Sequence, residues 1–131
     1  MNPQQGAAQY RSVRSHGLIA EASPARLVQI MFEQILAHLA TAQGCMGRIH
    51  DNLPLNDVVI KGKAMRLIDQ LNGTLDMERG QKIAENLRSL YVYMLARLTQ
   101  ANVSNDAKIV AEVASLIQKV KTGWDQIVET R

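Results

Sequence analysis

The three histidines and the single cysteine are the side chains of this 131-residue chain that most often take part in metal binding or covalent catalysis. His16, His38 and His50 are dispersed, and none of them belongs to a His-x-x-x-His or Glu-x-x-His pair, so the sequence predicts no metal site and no cofactor. Cys45 stands among apolar residues, which favours a small buried side chain over a reactive thiol. A glycine-rich phosphate loop and a G-x-S-x-G nucleophile turn are both missing from the sequence. We therefore expect a protein that is not an enzyme.

The charge pattern is mildly basic, with a net charge of +3 and a pI near 9.2. Lys61, Lys63 and Arg66 form the densest basic cluster, which we expect to face water on one side of a helix. No aromatic residue is interleaved with them for base stacking, so the cluster does not predict nucleic-acid binding. No apolar run approaches the roughly 20 residues of a membrane span, and the first residues lack the apolar core of a signal peptide. The sequence thus predicts a cytoplasmic protein without membrane insertion.

Helices must position any functional side chain here, because apolar residues recur at intervals of three and four. The clearest case is 85–102, where one apolar stripe is formed by Leu87, Leu90, Met94, Leu98 and Ala101. Tyr91 and Leu95 widen this stripe, and Tyr93 falls at its border, where a phenol can bury its ring and keep its hydroxyl hydrated. A single helix cannot bury such a stripe, so the sequence requires helical neighbours.

The boundaries of those helices follow from capping and turn residues. Ser23 is a favoured N-cap and Pro24 a favoured first helical residue, so they are predicted to fix the start of the first helix. The four predicted helices cover about 24–49, 56–75, 78–102 and 106–128. The inward side of the last helix is predicted to carry Ile109, Val113, Leu116, Val120, Trp124 and Ile127. Short links between them predict an all-α, antiparallel up-down four-helix bundle in a single domain, 23–131, preceded by a mobile N-terminal arm or short helix, 1–22.

The first helix has more apolar surface than the interior of a four-helix bundle needs. One column contains Leu27, Met31 and Ile35, and a second column beside it contains Val28, Phe32 and Leu36. Only part of this surface can face the core, so the surplus indicates a groove or a partner. The N-terminal arm or a homodimer could cover it equally well, and periodicity alone does not decide between these occupants.

Several motifs in order along the chain resemble the FliS family of flagellin export chaperones. The matching residues are Tyr10 and Val13; Ser23, Pro24 and Leu27; Leu75 and Asp76; Asn86, Leu87, Leu90, Tyr91, Tyr93 and Met94; Ala101 and Asn102; and Trp124. The resemblance covers nearly the whole chain. The chain departs from the family pattern at Met31-Phe32-Glu33, where the family usually has Leu-Tyr-Asp.

The resemblance implies a cytoplasmic chaperone of the flagellar type III secretion system. Such a protein would bind the disordered C-terminal segment of flagellin, prevent premature polymerisation and deliver the client to the cytoplasmic domain of the flagellar export gate. The competing hypothesis is a helical scaffold or signalling bundle that acts as a homodimer and binds no unfolded client.

The resemblance also assigns roles to individual residues. The predicted flagellin-binding residues are Leu27, Met31, Asn86, Leu87, Tyr91, Tyr93 and Asn102. Tyr10 and Val13 are predicted to act in the N-terminal arm and to contact the export gate. The predicted structural residues are Ser23, Pro24, Leu90, Met94 and Trp124.

Overall fold

The computed structural model describes residues 23–46 and 56–129, and these residues form four helices. They are α1 (Pro24–Met46), α2 (Asp57–Gly73), α3 (Met77–Ser104) and α4 (Ala107–Glu129). The predicted all-α, four-helix fold is confirmed, and each helix begins within one residue of its predicted start. The predicted arm with Tyr10 and Val13, and the predicted end of the first helix at residue 49, lie outside the described residues.

Short polar side chains fix where the helices begin. The Ser23 hydroxyl accepts a hydrogen bond from the Arg26 backbone N–H at 3.1 Å, so Ser23 caps α1 as predicted. Asn56, Asp76 and Asp106 do the same for α2, α3 and α4, each with a backbone N–H two or three residues further on. Each cap satisfies a backbone donor that has no partner within its own helix. Because these signals are local, the helix starts can be read from the sequence.

The helices pack as a closed ring in which α1 and α3 each contact both α2 and α4. The start of α1 lies beside the end of α4, where the Trp124 indole N–H donates to the Ala25 carbonyl at 2.8 Å. The Gln29 amide donates to the Asp125 carboxylate at 2.6 Å in the same region. These two contacts join residues that are about 100 positions apart in sequence and close the ring.

The core is the line along which the four apolar stripes meet. Its fully buried members include Phe32, Ile35, Leu39, Ala64, Ile68, Met94, Leu98, Val110, Val113 and Ile117. Of the three residues predicted to be structural within the core, Met94 is fully buried, while Leu90 and Trp124 are partly buried against this core. In α4 the prediction was partly wrong, because Val110 and Ile117 are buried and Ile127 is 48% exposed. The buried residues of α4 are Ile109, Val110, Val113 and Ile117, so Ile109 and Val113 are buried as predicted and the buried face is rotated slightly from the predicted one.

Lys61 corrects the prediction of an outward basic cluster, because its side chain is fully buried. It lies on α2 one turn before Ala64, on the face that also buries Ile68, so helical geometry carries it inward. Its Nζ is 2.9 Å from the Asp57 carboxylate, one turn earlier, and this ion pair partly offsets the cost of burying the charge. Lys63 and Arg66 are exposed as predicted.

The first turn of α3 is set apart from the rest of that helix. Gln81 has φ 46° and ψ −120°, which is outside the helical region, so the helical path breaks after Gly80. A side chain at position 80 would place its Cβ 2.7 Å from the Cβ of Ala84, which is closer than real Cβ atoms approach. Glycine at position 80 is therefore required for this close approach. The irregular residue lies near the start of the helix predicted for about 78–102.

Candidate binding groove

An apolar groove of about 570 Å³ opens at the end of the bundle where α1 and α3 begin and α2 and α4 end. We call it the binding groove. Its apolar lining consists of Val28, Phe32, Leu71, Leu75, Ile83, Ala84, Leu87, Tyr91, Val120, Trp124 and Ile127. Thr74, Asp76, Gly80, Lys119 and Gly123 complete the lining. Since two helix starts and two helix ends meet here, the groove also shows that neighbouring helices run in opposite directions.

The binding groove has a buried floor and an exposed apolar rim. Phe32 and Tyr91 are 1% and 3% exposed, so they belong to the floor and to the core at once. Ile83 and Ile127, by contrast, are 71% and 48% exposed on the rim. Leaving large aliphatic side chains in water is unfavourable by about 25 cal/mol for each Å² of apolar surface. A ligand that covers the rim would recover this free energy, so the groove is suited to an apolar segment of another protein.

A polar network holds the α1–α4 wall of the groove in place. Asp125 accepts hydrogen bonds from Lys121 at 2.7 Å and from Gln29 at 2.6 Å. These two bonds hold the pKa of Asp125 below its usual value, and the bond from Lys121 is the larger cause. The carboxylate is therefore charged at neutral pH, and it links α1 to α4 next to Trp124.

Tyr91 is the titratable group of the groove floor. Burial raises the pKa of Tyr91 from 10.0 to about 12, because the phenolate would lose its hydration in this apolar site. Since the pKa is raised on folding, the neutral phenol contributes to stability fully below pH 10 and loses that contribution as the pH rises from 10 to 12.

We expect the Tyr91→Phe variant to lack this alkaline loss of stability. The free energy of unfolding of the wild type, measured by urea denaturation, should fall between pH 10 and 12 by more than that of the variant. The Tyr93→Phe variant is the matched control, because Tyr93 is 44% exposed, and it should retain the decline. Identical alkaline profiles for the wild type and Tyr91→Phe would contradict the assignment of this titration to Tyr91.

A second polar cluster lies between α3 and α4, and Tyr93 belongs to it rather than to the groove. The Tyr93 hydroxyl donates to Glu112 at 3.1 Å, and the Arg97 guanidinium donates to the same carboxylate at 2.7 Å. The bond from Arg97, followed by that from Tyr93, holds the pKa of Glu112 below its usual value. The Tyr93 hydroxyl, which was predicted to stay hydrated, thus donates a hydrogen bond to a side chain of the next helix.

Two of the predicted flagellin-binding residues, Leu87 and Tyr91, line the binding groove. The other five do not. Leu27 and Met31 are half-buried on α1, and Met31 packs against the core. Asn86 is exposed on α3.

Asn102, near the end of α3, is half-buried, and its side-chain oxygen is buried without a hydrogen-bond partner in the described part of the chain. Tyr93 is exposed and also lies outside the groove lining. Client contacts therefore stay predictions for five residues: Leu27, Met31, Asn86, Tyr93 and Asn102.

The residues that sequence reasoning did not assign to the groove come from the ends of the helices. Val28 and Phe32 belong to the second apolar column of α1, which the sequence identified without showing its direction. Val120 was predicted to face inward, and it lines the groove. Nothing in the sequence indicated that Gly123 lines the groove, because its position there depends on how α4 packs against the other helices.

Residues 23–46 and 56–129 were also searched for metal sites and for membrane-spanning helices. No group of three or more potential metal ligands occurs in these two ranges. None of the helices described for them combines the length and the apolar character that crossing a membrane requires.

Comparison of the whole sequence with known proteins identifies the family that this chain resembles. A family model described as "Flagellar protein FliS" matches residues 6–131. The flagellar secretion chaperone FliSB of Pseudomonas aeruginosa is 43% identical over 119 residues, which are 91% of this chain and 92% of that protein.

Two further relatives are named flagellar secretion chaperone FliS. The protein from Salmonella typhimurium is 37% identical over 123 residues, or 90% of this chain and 86% of its own length. The protein from Vibrio cholerae is 34% identical over 118 residues, or 90% of this chain and 85% of its own length. The similarity therefore spans all four helices.

Proposed function

Since the chain belongs to the FliS family, and is thereby a flagellar secretion chaperone rather than an enzyme, we propose that its client is the C-terminal segment of flagellin. The segment is disordered before binding, and the binding groove holds it. The single observation that carries this assignment is the apolar groove with its exposed aliphatic rim.

The shape of the groove suits an amphipathic segment that folds on contact. Helix-in-groove recognition uses apolar anchors at intervals of three and four residues, and the groove offers apolar walls from all four helices. A disordered client loses conformational entropy when it binds, and burial of its apolar side chains against Phe32, Leu87 and Trp124 offsets this cost. The bound segment is then unavailable for contacts with other flagellin subunits, which prevents premature polymerisation in the cytoplasm.

Delivery to the export machinery is the second part of the proposal. Tyr10 and Val13 are proposed to contact the cytoplasmic domain of the flagellar export gate. Ser23 and the start of α1 lie at the groove end of the bundle, so the preceding residues are attached within reach of the groove. We propose that this arm occupies the groove in the free chaperone and that the client displaces it by its higher affinity for the open state.

Isothermal titration calorimetry of the full chain with a flagellin C-terminal peptide of about 50 residues tests the proposed function. Coupled folding and binding should bury about 1,000 to 3,000 Å² and give a large negative heat-capacity change with one-to-one stoichiometry. The peptide should come from the flagellin of the same organism. Absence of binding to the folded protein would overturn the proposal and favour the homodimeric scaffold.

A further inference from the structure

A polar recess of about 270 Å³ lies between the middle of α1 and the middle of α2, away from the binding groove. We call it the basic recess. It is lined by Gln34, His38, Lys63, Arg66, Leu67 and Gln70. None of these residues lines the binding groove, so an occupant of one site leaves the other accessible.

Helical spacing brings these side chains together. Gln34 and His38 are four residues apart on α1, and Lys63, Arg66 and Gln70 follow one another at intervals of three and four on α2. Lys63, Arg66, Gln34 and Gln70 are exposed, while His38 and Leu67 are half-buried beneath them. The recess therefore has two cations and two amides above a partly apolar floor.

The two cations are not neutralised within the described part of the chain. Neither the Lys63 side chain nor the Arg66 side chain makes an ion pair or a hydrogen bond with another described residue. Asp57 pairs with Lys61 at 2.9 Å, and Asp69, three residues after Arg66, does not line the recess. Across the recess, Glu33 pairs with Arg26 at 3.2 Å. Like charges three residues apart on one helix repel each other, and a bound anion would remove this repulsion.

We propose that the basic recess is a second docking surface, which binds an acidic segment of a protein partner. A glutamate or aspartate carboxylate can accept hydrogen bonds from Lys63 and Arg66, and the amides of Gln34 and Gln70 can donate to the same segment. Half-buried Leu67 gives the aliphatic part of the segment an apolar contact. The proposal does not depend on the client assigned to the binding groove.

A protein partner fits this recess better than a nucleic acid does. No aromatic side chain lines the recess, so bases have no surface on which to stack. The two cations form one compact cluster, whereas a phosphate backbone is usually followed by a longer basic stripe. The net charge of +3 over 131 residues is also modest for a protein that binds nucleic acid.

Titration of the ¹⁵N-labelled full chain with a synthetic peptide of alternating glutamate and glycine tests the proposal. The side-chain amide signals of Gln34 and Gln70 should shift, and a peptide of alternating glutamine and glycine should leave them unchanged. The Lys63→Glu/Arg66→Glu variant should bind the acidic peptide about tenfold or more weakly. The matched control, Arg88→Glu/Lys108→Glu, makes the same change in net charge at exposed positions outside the recess and should bind like the wild type.

Three results would overturn the proposal. Equal weakening in the two charge-reversal variants would show attraction to net charge rather than to the recess. Absence of shifts at Gln34 and Gln70 would show that the recess holds no carboxylate segment. Tighter binding of oligothymidylate through the same amides would assign the recess to nucleic acid instead. The flagellin titration is independent of all three, so failure of one proposal leaves the other testable.

Discussion

The Gly123→Phe variant should bind the flagellin C-terminal segment at least about tenfold more weakly than the wild type while remaining fully folded. Gly123 lines the binding groove, and a Cβ added there meets no atom within 4 Å. A phenyl ring at this position therefore occupies volume that the client needs, and loss of well-packed apolar contacts costs about 1.4 kcal/mol or more per anchor. The helix itself should gain about 0.5 kcal/mol, because glycine is the poorer helix former.

Gly44 provides the control for this experiment. It is exposed on α1 outside the groove, and a Cβ there also meets no atom within 4 Å. The Gly44→Phe variant should thus keep wild-type affinity, as measured by calorimetry with the same peptide. Equal affinities for all three proteins, with thermal unfolding confirming that each is folded, would mean that the client binds elsewhere.

The Phe32→Ala variant should lose about 3 to 5 kcal/mol of the free energy of unfolding. Phe32 is 1% exposed and packs both against the core and beneath the binding groove, so truncation leaves a cavity that the neighbouring helices cannot close without moving. Urea denaturation at neutral pH, followed by circular dichroism, measures this loss.

Met31→Ala is the comparison that makes the stability prediction specific. Met31 is the neighbouring residue and is only half-buried, so its truncation should cost about 1 kcal/mol. A loss for Met31→Ala as large as that for Phe32→Ala would contradict the observed difference in burial between these two residues.

This pair of residues also shows what the sequence could and could not predict about the fold. The helix starts follow from local caps such as Ser23 and Asp76, so their positions were predictable. The two apolar columns of α1, in contrast, have the same periodicity. The choice of Phe32 rather than Met31 as the core residue depends on how α1 packs against α2 and α4, which no local signal records.

The candidate site was predictable to a similar extent. The widened apolar stripe of α3 pointed to Leu87 and Tyr91, and both line the groove. The bond between Tyr93 and Glu112 joins residues 19 positions apart on different helices, so periodicity left the partner of Tyr93 unidentified. Lys61 was misplaced because residue type suggested water, whereas its position one turn before Ala64 required burial.

Fluorescence of Trp124 during titration with a tryptophan-free flagellin C-terminal segment is the most direct test of the groove as the client site. Trp124 is the single tryptophan of the chain and lines the groove, so its emission reports on this site alone. We expect a shift to shorter wavelength that saturates at one segment per chaperone, because the client removes water from the indole ring. A complex that forms by calorimetry while the emission of Trp124 stays unchanged would contradict the account.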